Sequence, residues 1–366
     1  MSDIPEALRA AIATVEPPDP AWAARAGDRQ ARLTMPAGSL GRLLEIGRQL
    51  AAIQRTDRPS GGPALIAVFA ADHGVAVEGV SAFPAEVTGQ MVANYLRGGA
   101  AVNVLARRAG ATVRVADLGV AHLPRGLAES IAFASRPIRR GTSHFLEGPA
   151  MSRAEAFQAV STGWELAGSW VVPASVAAIG EMGIGNSTTA AALAAALTGS
   201  PPDRVVGRGT GVDDRGFLRK REVVVAALAR HAAGIADVWD WLARVGGFEI
   251  LGLAGFALGA AARRSLVVLD GFISTVAGLI AARLCPAAVG SMLASHQGTE
   301  PGHRIVLDAL GLSPILDLDL RLGEGTGAAL ALPIIASAGD ILRDMATFDA
   351  AGVSGPSDAD QRFLSS

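Results

Sequence analysis

One recurring pattern limits what this chain can fold into. An apolar, strand-like run ends in an acid beside a glycine, and a helical segment usually follows. ALIAVFAAD (64–72) runs into Asp72, with Gly74 soon after. ATVRVAD (111–117) ends at Asp117, shortly before Gly119. SVAAIG (175–180) leads to Glu181, then to GIGN and STTAAALAAAL. SLVVLD (265–270) ends at Asp270, followed by Gly271 and ISTVAGLIAARL. PILDLDLRLGE (314–324) ends at Glu324, ahead of a last long helix. Continuous apolar runs of this kind suit a parallel sheet covered on both faces. Alternating strand and helix predicts an α/β chain with an open, doubly wound parallel sheet. In such sheets ligands bind beyond the carboxyl ends of the strands. That rule gathers Asp72, Glu181, Asp270 and Glu324 at one edge.

The other segments fill in this frame. Residues 1–55 read as helical, with Ser39 the expected cap of GRLLEIGRQLAAIQ. TDRPSGGP (56–63) has the composition of a linker. A helix is expected from about Pro84 through EVTGQMVANYL and AAVNVLARRAG, while 121–150 yields no clear element. Ser152 and Glu155 form a capping-box pattern for a helix reaching about Trp170. PPDRVVGRGTGVDDRG (201–216) is a glycine-rich excursion, and a helix follows through Lys220 to about His231, with Asp213 and Asp214 at its start. The tail after Thr347 is small and polar, as expected of a mobile terminus.

Several classes of function are argued against. The net charge of -2 and the lack of a long basic run speak against a nucleic-acid surface. Arg263, Arg264 and Asp270 interrupt the most apolar region, about 250–284, so no membrane helix is expected there. The N-terminus lacks the basic start and apolar block of a signal peptide. Cys285 is the only cysteine, which rules out an intrachain disulfide and fits a reducing cytosol. The six histidines are scattered, so no metal site is expected. Neither a Gly-x-Ser-x-Gly elbow nor a P-loop nor a dinucleotide fingerprint is present. Two adjacent acids ending a strand before a Thr-Gly loop, the diphosphate-ribose signature, are missing too. Were ribose phosphate the substrate, its leaving group would not be diphosphate.

Three glycine clusters remain as cradles for phosphate or sugar: GEMGIGNSTT (180–189), GRGTG (207–211) and GEGTG (323–327). Lys220 offers a point charge to a phosphate, or else is a solvated lysine between Arg219 and Arg221. Thr326 is the expected cap of AALALPIIASAGDIL. Glu324 has two readings: a general base whose pKa is raised on a tight turn, or a carboxylate that satisfies the helix N-terminus.

Taken together, the motifs resemble one family. They are PAGSLGRLLE (36–45), ADHGVAVEGVSAFPAEVT (71–88), GGAAVNVLA (98–106), GPAMSRAEA (148–156), GEMGIGNSTTAAA (180–192), VGGFEILGLAG (245–255), LDGFIS (269–274), Ser295-His296 and RLGEGTGAALALPI (321–334). In this order they are similar to nicotinate-nucleotide:5,6-dimethylbenzimidazole phosphoribosyltransferases of cobalamin lower-ligand assembly. The resemblance implies a large Rossmann-like domain (61–325) and a small helical domain built from 1–60 and 326–366. It implies a homodimer; the lone cysteine adds the expectation of a cytoplasmic location, and no cofactor is expected. The implied reaction moves 5-phosphoribose from nicotinate mononucleotide to 5,6-dimethylbenzimidazole, giving α-ribazole 5'-phosphate and nicotinate. The alternative acceptor is another lower-ligand base: a different benzimidazole, adenine or a phenol. By resemblance Glu324 is the catalytic base and Glu181 a second active-site acid. Gly183, Gly185, Asn186, Ser187, Thr188, Gly209, Lys220, Asp270 and Ser295 would hold the nucleotide. Phe83, Pro84, Met91, Met182 and Leu322 would form the benzimidazole slot. Phe83 stands where some relatives carry a small polar residue, and the 207–216 excursion varies within the family.

Overall fold

The structure is a computed structural model that describes residues 3–209 and 211–355. Six parallel strands form the main sheet: β1 (Ala64–Ala71), β2 (Thr112–Gly119), β3 (Phe133–Ser135), β4 (Val176–Met182), β5 (Leu266–Leu269) and β6 (Met292–Ala294). Their order is β3-β2-β1-β4-β5-β6. This is the strand order of the doubly wound dinucleotide-binding sheet, whose crevice opens where the order reverses, between β1 and β4. The central strands are buried almost end to end, as continuous apolar runs require.

Each face of the sheet has its own core. On one, the Phe248–Ala262 helix packs against the Arg153–Trp170 helix and lies over β1, β2 and β4. Gly252 and Gly255 make this approach close enough that an added Cβ would run into Leu118 and into the Val160 carbonyl. On the other face lie the Arg42–Gln54, Ala101–Ala109 and Thr326–Asp344 helices. Arg42–Gln54 also packs on Pro20–Gln30, and Ala26, Ala51 and Leu342 join these two helices to the last long one in a small third cluster. Thr326–Asp344 is long and apolar enough to cross a membrane by length and composition alone. Here its buried residues, among them Leu332, Ile335 and Leu342, pack against the rest of the chain.

Several expectations fit. The Ser152 box closes on Glu155 and starts a helix that ends at Trp170. Asp213 caps Asp214–His231. Others need correction. The long helix from Pro84 is two helices, Val87–Leu96 and Ala101–Ala109, because the left-handed Gly98 (φ 76°) and Gly99 end the first. Ser39 caps nothing: the helix begins at Arg42 after Gly41, without a side-chain cap. PILDLDLRLGE is not a strand of the main sheet. Only Leu316–Asp317 pairs, with His296–Gln297, in a separate two-stranded ladder. Asp317, Asp319 and Arg321 interrupt the apolar run, and Leu318 is exposed. The sixth strand is instead the short Met292–Ala294. Thr210, in the GRGTG cluster, and the tail beyond 355 lie outside the described residues.

Candidate active site

A cleft of about 630 Å³ opens past the carboxyl ends of β4 and β5. β4 carries Glu181 to its wall. Gly180, just before it, must be glycine because the chain crosses there: a Cβ would sit 2.5 Å from the Gly325 nitrogen. The crossing segment is the 323–325 turn, with Gly323, Glu324 and Gly325 all left-handed at φ 80°, 63° and 88°. For a glutamate that geometry costs about 1–2 kcal/mol. Strain of this kind collects at functional sites when the surroundings hold it in place.

The holding group is Asp270, at the end of β5. Its two carboxylate oxygens accept the Gly325 and Ala328 backbone N–H groups, each at 2.9 Å. The anion favoured by this helix start is therefore Asp270. Thr326 does not cap the helix as expected; its hydroxyl donates to the Gly323 carbonyl at 2.7 Å. Glu324 is thus not employed at the helix N-terminus, and its carboxylate lines the cleft. Burial pushes its pKa up to about 7, a Tyr95 hydroxyl within reach opposes the shift, and the charge of Asp270 adds to it.

Glu181 stands beside it. A side chain at position 323 would collide with the Glu181 Oε1 atom, and the Asn186 amide donates to Oε2. Burial raises its pKa to about 8. The Asn186 hydrogen bond opposes this, and the carboxylates of Glu249, Asp270 and Glu324 add to it. Carboxylates whose pKa is raised by burial and neighbouring charge in a cleft are suited to holding and moving a proton near neutral pH.

The polar end is built on the Asn186–Thr198 helix, entered through Gly185 at φ 94°. Ser187 lines the cleft, and its hydroxyl accepts a hydrogen bond from Lys220 Nζ at 2.9 Å. Lys220 is fully buried, which rules out the solvated reading. Burial lowers its pKa to about 8 against the opposing charge of Glu300. Gly209 closes over the pair, so that a Cβ there would lie 2.7 Å from Lys220 Nζ. Its N–H donates to Glu300 Oε1 at 2.8 Å. A helix start, a hydroxyl and an ammonium group converge here, the parts of a phosphate site.

At the apolar end Phe83, Met91, Met182 and Leu322 line the wall, extended by Val87 and Ile184. Phe83 and Leu322 are about half exposed and stand at the mouth. Gly183, Asn186, Ser187 and Gly209 also reach the lining, as do Glu181 and Glu324. Pro84, Gly185, Thr188, Lys220, Asp270 and Ser295 do not. Thr188 is buried inside its helix, and the Ser295 hydroxyl donates to the Asp270 carbonyl at 3.1 Å. Asp72, placed at the same edge by the sheet rule, accepts the Ala121 N–H at 2.7 Å and lies off the cleft. Sequence reasoning missed Glu300 and Tyr95. Nothing local marks Glu300, the residue before Pro301 at a helix start. Tyr95 follows Val87 and Met91 at helical spacing, which was a usable signal.

A family model described as phosphoribosyltransferase matches residues 15–353. A protein of Chloroflexus aggregans, called nicotinate-nucleotide–dimethylbenzimidazole phosphoribosyltransferase, is 52% identical over 348 residues, which is 95% of this chain and 98% of that one. A protein of the same name from Desulforamulus reducens is 49% identical over 350 residues, 95% of this chain and 99% of its own. The crystal structure of the Thermus thermophilus protein of that name superimposes with a TM-score of 0.86 at 45% identity, covering 92% of this chain and all of the other.

Proposed function

The chain belongs to the nicotinate-nucleotide–dimethylbenzimidazole phosphoribosyltransferases of cobalamin biosynthesis, and from that premise we propose how its residues share the work. The reaction moves 5-phosphoribose from nicotinate mononucleotide to 5,6-dimethylbenzimidazole, and nicotinate and α-ribazole 5'-phosphate leave. The ribose–pyridinium bond breaks with its electron pair going to the ring nitrogen, so nicotinate departs with that nitrogen neutral and needs no acid. Benzimidazole attacks the anomeric carbon through one nitrogen and must lose the proton carried by the other. One base meets that demand, and we assign it to Glu324. The observation that carries the assignment is the Asp270 cap, because it frees the Glu324 carboxylate to face the cleft.

Ser187, Lys220 and the Asn186 helix start would anchor the 5'-phosphate. Glu181, which holds its proton up to about pH 8, would hydrogen-bond the ribose hydroxyls. Phe83, Met91, Met182 and Leu322 would clasp the benzimidazole rings. Holding both substrates in one cleft lowers the entropic part of the barrier. The division into a small domain (1–60 with 326–366) and a large one (61–325) is supported by the packing of Arg42–Gln54 on Thr326–Asp344. A homodimer acting in the cytoplasm is the matching reading of assembly and place, carried by the family resemblance. The direct test is incubation with nicotinate mononucleotide and dimethylbenzimidazole. Nicotinate should be released only when both are present; release without acceptor, or none at all, overturns the reading.

A further inference from the structure

We propose that Tyr95 is a positioning residue for the base, its hydroxyl donating to the ionised Glu324 carboxylate and aiming it at the acceptor. This rests on the reading of Glu324 as the base. Tyr95 is the only tyrosine in the chain. It sits on Val87–Leu96, where Val87 and Met91 line the cleft. Steps of four place all three on one helix face, so Tyr95 continues the apolar wall inward. Tyr95 is 3% exposed and packs in the cluster that holds Val92, Val102 and Met182. Its hydroxyl is buried there with no aligned hydrogen-bond partner.

A buried hydroxyl left without a partner costs about 1–3 kcal/mol. Phenylalanine would fill the same space without that cost, so the hydroxyl calls for an acceptor. The ionisable groups that face this point are Glu324 from the turn, Glu181 from β4 and Asp270 from the end of β5. Asp270 already accepts two backbone N–H groups, and Glu181 accepts the Asn186 amide. Glu324 has no other hydrogen-bond donor among the described residues, and it comes within reach of the Tyr95 hydroxyl. A phenol that donates to a carboxylate favours the charged form, the form in which a base can accept a proton. Burial works the other way, so Tyr95 keeps the base ionised in an apolar site.

The test is the pH dependence of kcat/KM for Tyr95→Phe, a change that preserves the ring. The acidic limb should move up by about half to one pH unit, giving about a threefold to tenfold loss near pH 6 and almost none near pH 9. An unchanged limb, or an equal loss at every pH, overturns the proposal. A second readout needs no turnover. Protein labelled with ¹³Cζ-tyrosine gives one tyrosine resonance, which should titrate at the midpoint of that limb and stop titrating in Glu324→Gln. A resonance that does not respond to pH, with Glu324→Gln inactive, overturns the role of Tyr95 alone. Native turnover in Glu324→Gln overturns the base assignment itself.

Discussion

The Asp270 carboxylate accepts the Gly325 amide at 2.9 Å, across a gap of 55 residues in sequence. That contact joins the end of β5 to the start of the last long helix. It also decides what Glu324 does, because the anion wanted at the helix start comes from elsewhere. Asp270→Asn keeps the size but loses the charge and one acceptor atom. The variant should lose about 1–2 kcal/mol of stability and should lose turnover because the left-handed turn is no longer pinned. Chemical denaturation with parallel steady-state rates checks this. A variant as stable and as active as the parent would show that the turn holds itself.

Glu324 in the cleft wall and Lys220 behind it set a pH window. Glu324 must be ionised to act, and its pKa stands near 7, so kcat/KM should fall as the pH drops through that value. Lys220 must be charged to hold phosphate, and burial brings it to about 8, so kcat/KM should fall again as the pH rises through that value. The profile should be a bell with its maximum between the two. Lys220→Ala should remove the alkaline limb and raise the Michaelis constant for the nucleotide more than it lowers turnover. A loss confined to turnover would contradict the anchoring role.

Glu181 should carry a stability cost that depends on pH. Its folded pKa, about 8, lies above the ordinary value of 4.5. The folded form therefore holds the proton longer than the unfolded chain does. Its favourable contribution is complete below pH 4.5 and is lost as the pH rises towards 8. Glu181→Gln removes that dependence. The variant should melt above the parent at pH 8.5, by a larger margin than at pH 5, while losing activity at both. Equal margins at the two pH values would contradict the burial account.

Much of this could be read from the chain, for identifiable reasons. β1, β4 and β5 announce themselves because a buried parallel strand needs an unbroken apolar run, and ALIAVFAA, VAAIGEM and LVVL supply one. β3 and β6 are three residues long, too short for such a signal; they exist because a neighbouring strand pairs with them. The run at 314–324 carried the same acid–glycine ending and misled for that reason, although its alternating acids already argued against a buried strand. Glu324 stood out between its two glycines. The identity of its helix cap did not, because Asp270 and Gly325 meet only once the sheet has formed. Lys220 is similar: between Arg219 and Arg221 nothing local marks it as buried, and only the packing of its helix on Asn186–Thr198 turns it inward.

The measurement closest to the centre of the account is turnover by Glu324→Gln alongside calorimetric titration with nicotinate mononucleotide. A positioned base contributes about 10²–10⁴-fold. The variant should therefore lose at least about a hundredfold in kcat, while it binds the nucleotide as tightly as the parent. Turnover within a few fold of the parent, or a loss explained wholly by lost nucleotide binding, would contradict the claim that this carboxylate takes the proton of the incoming base.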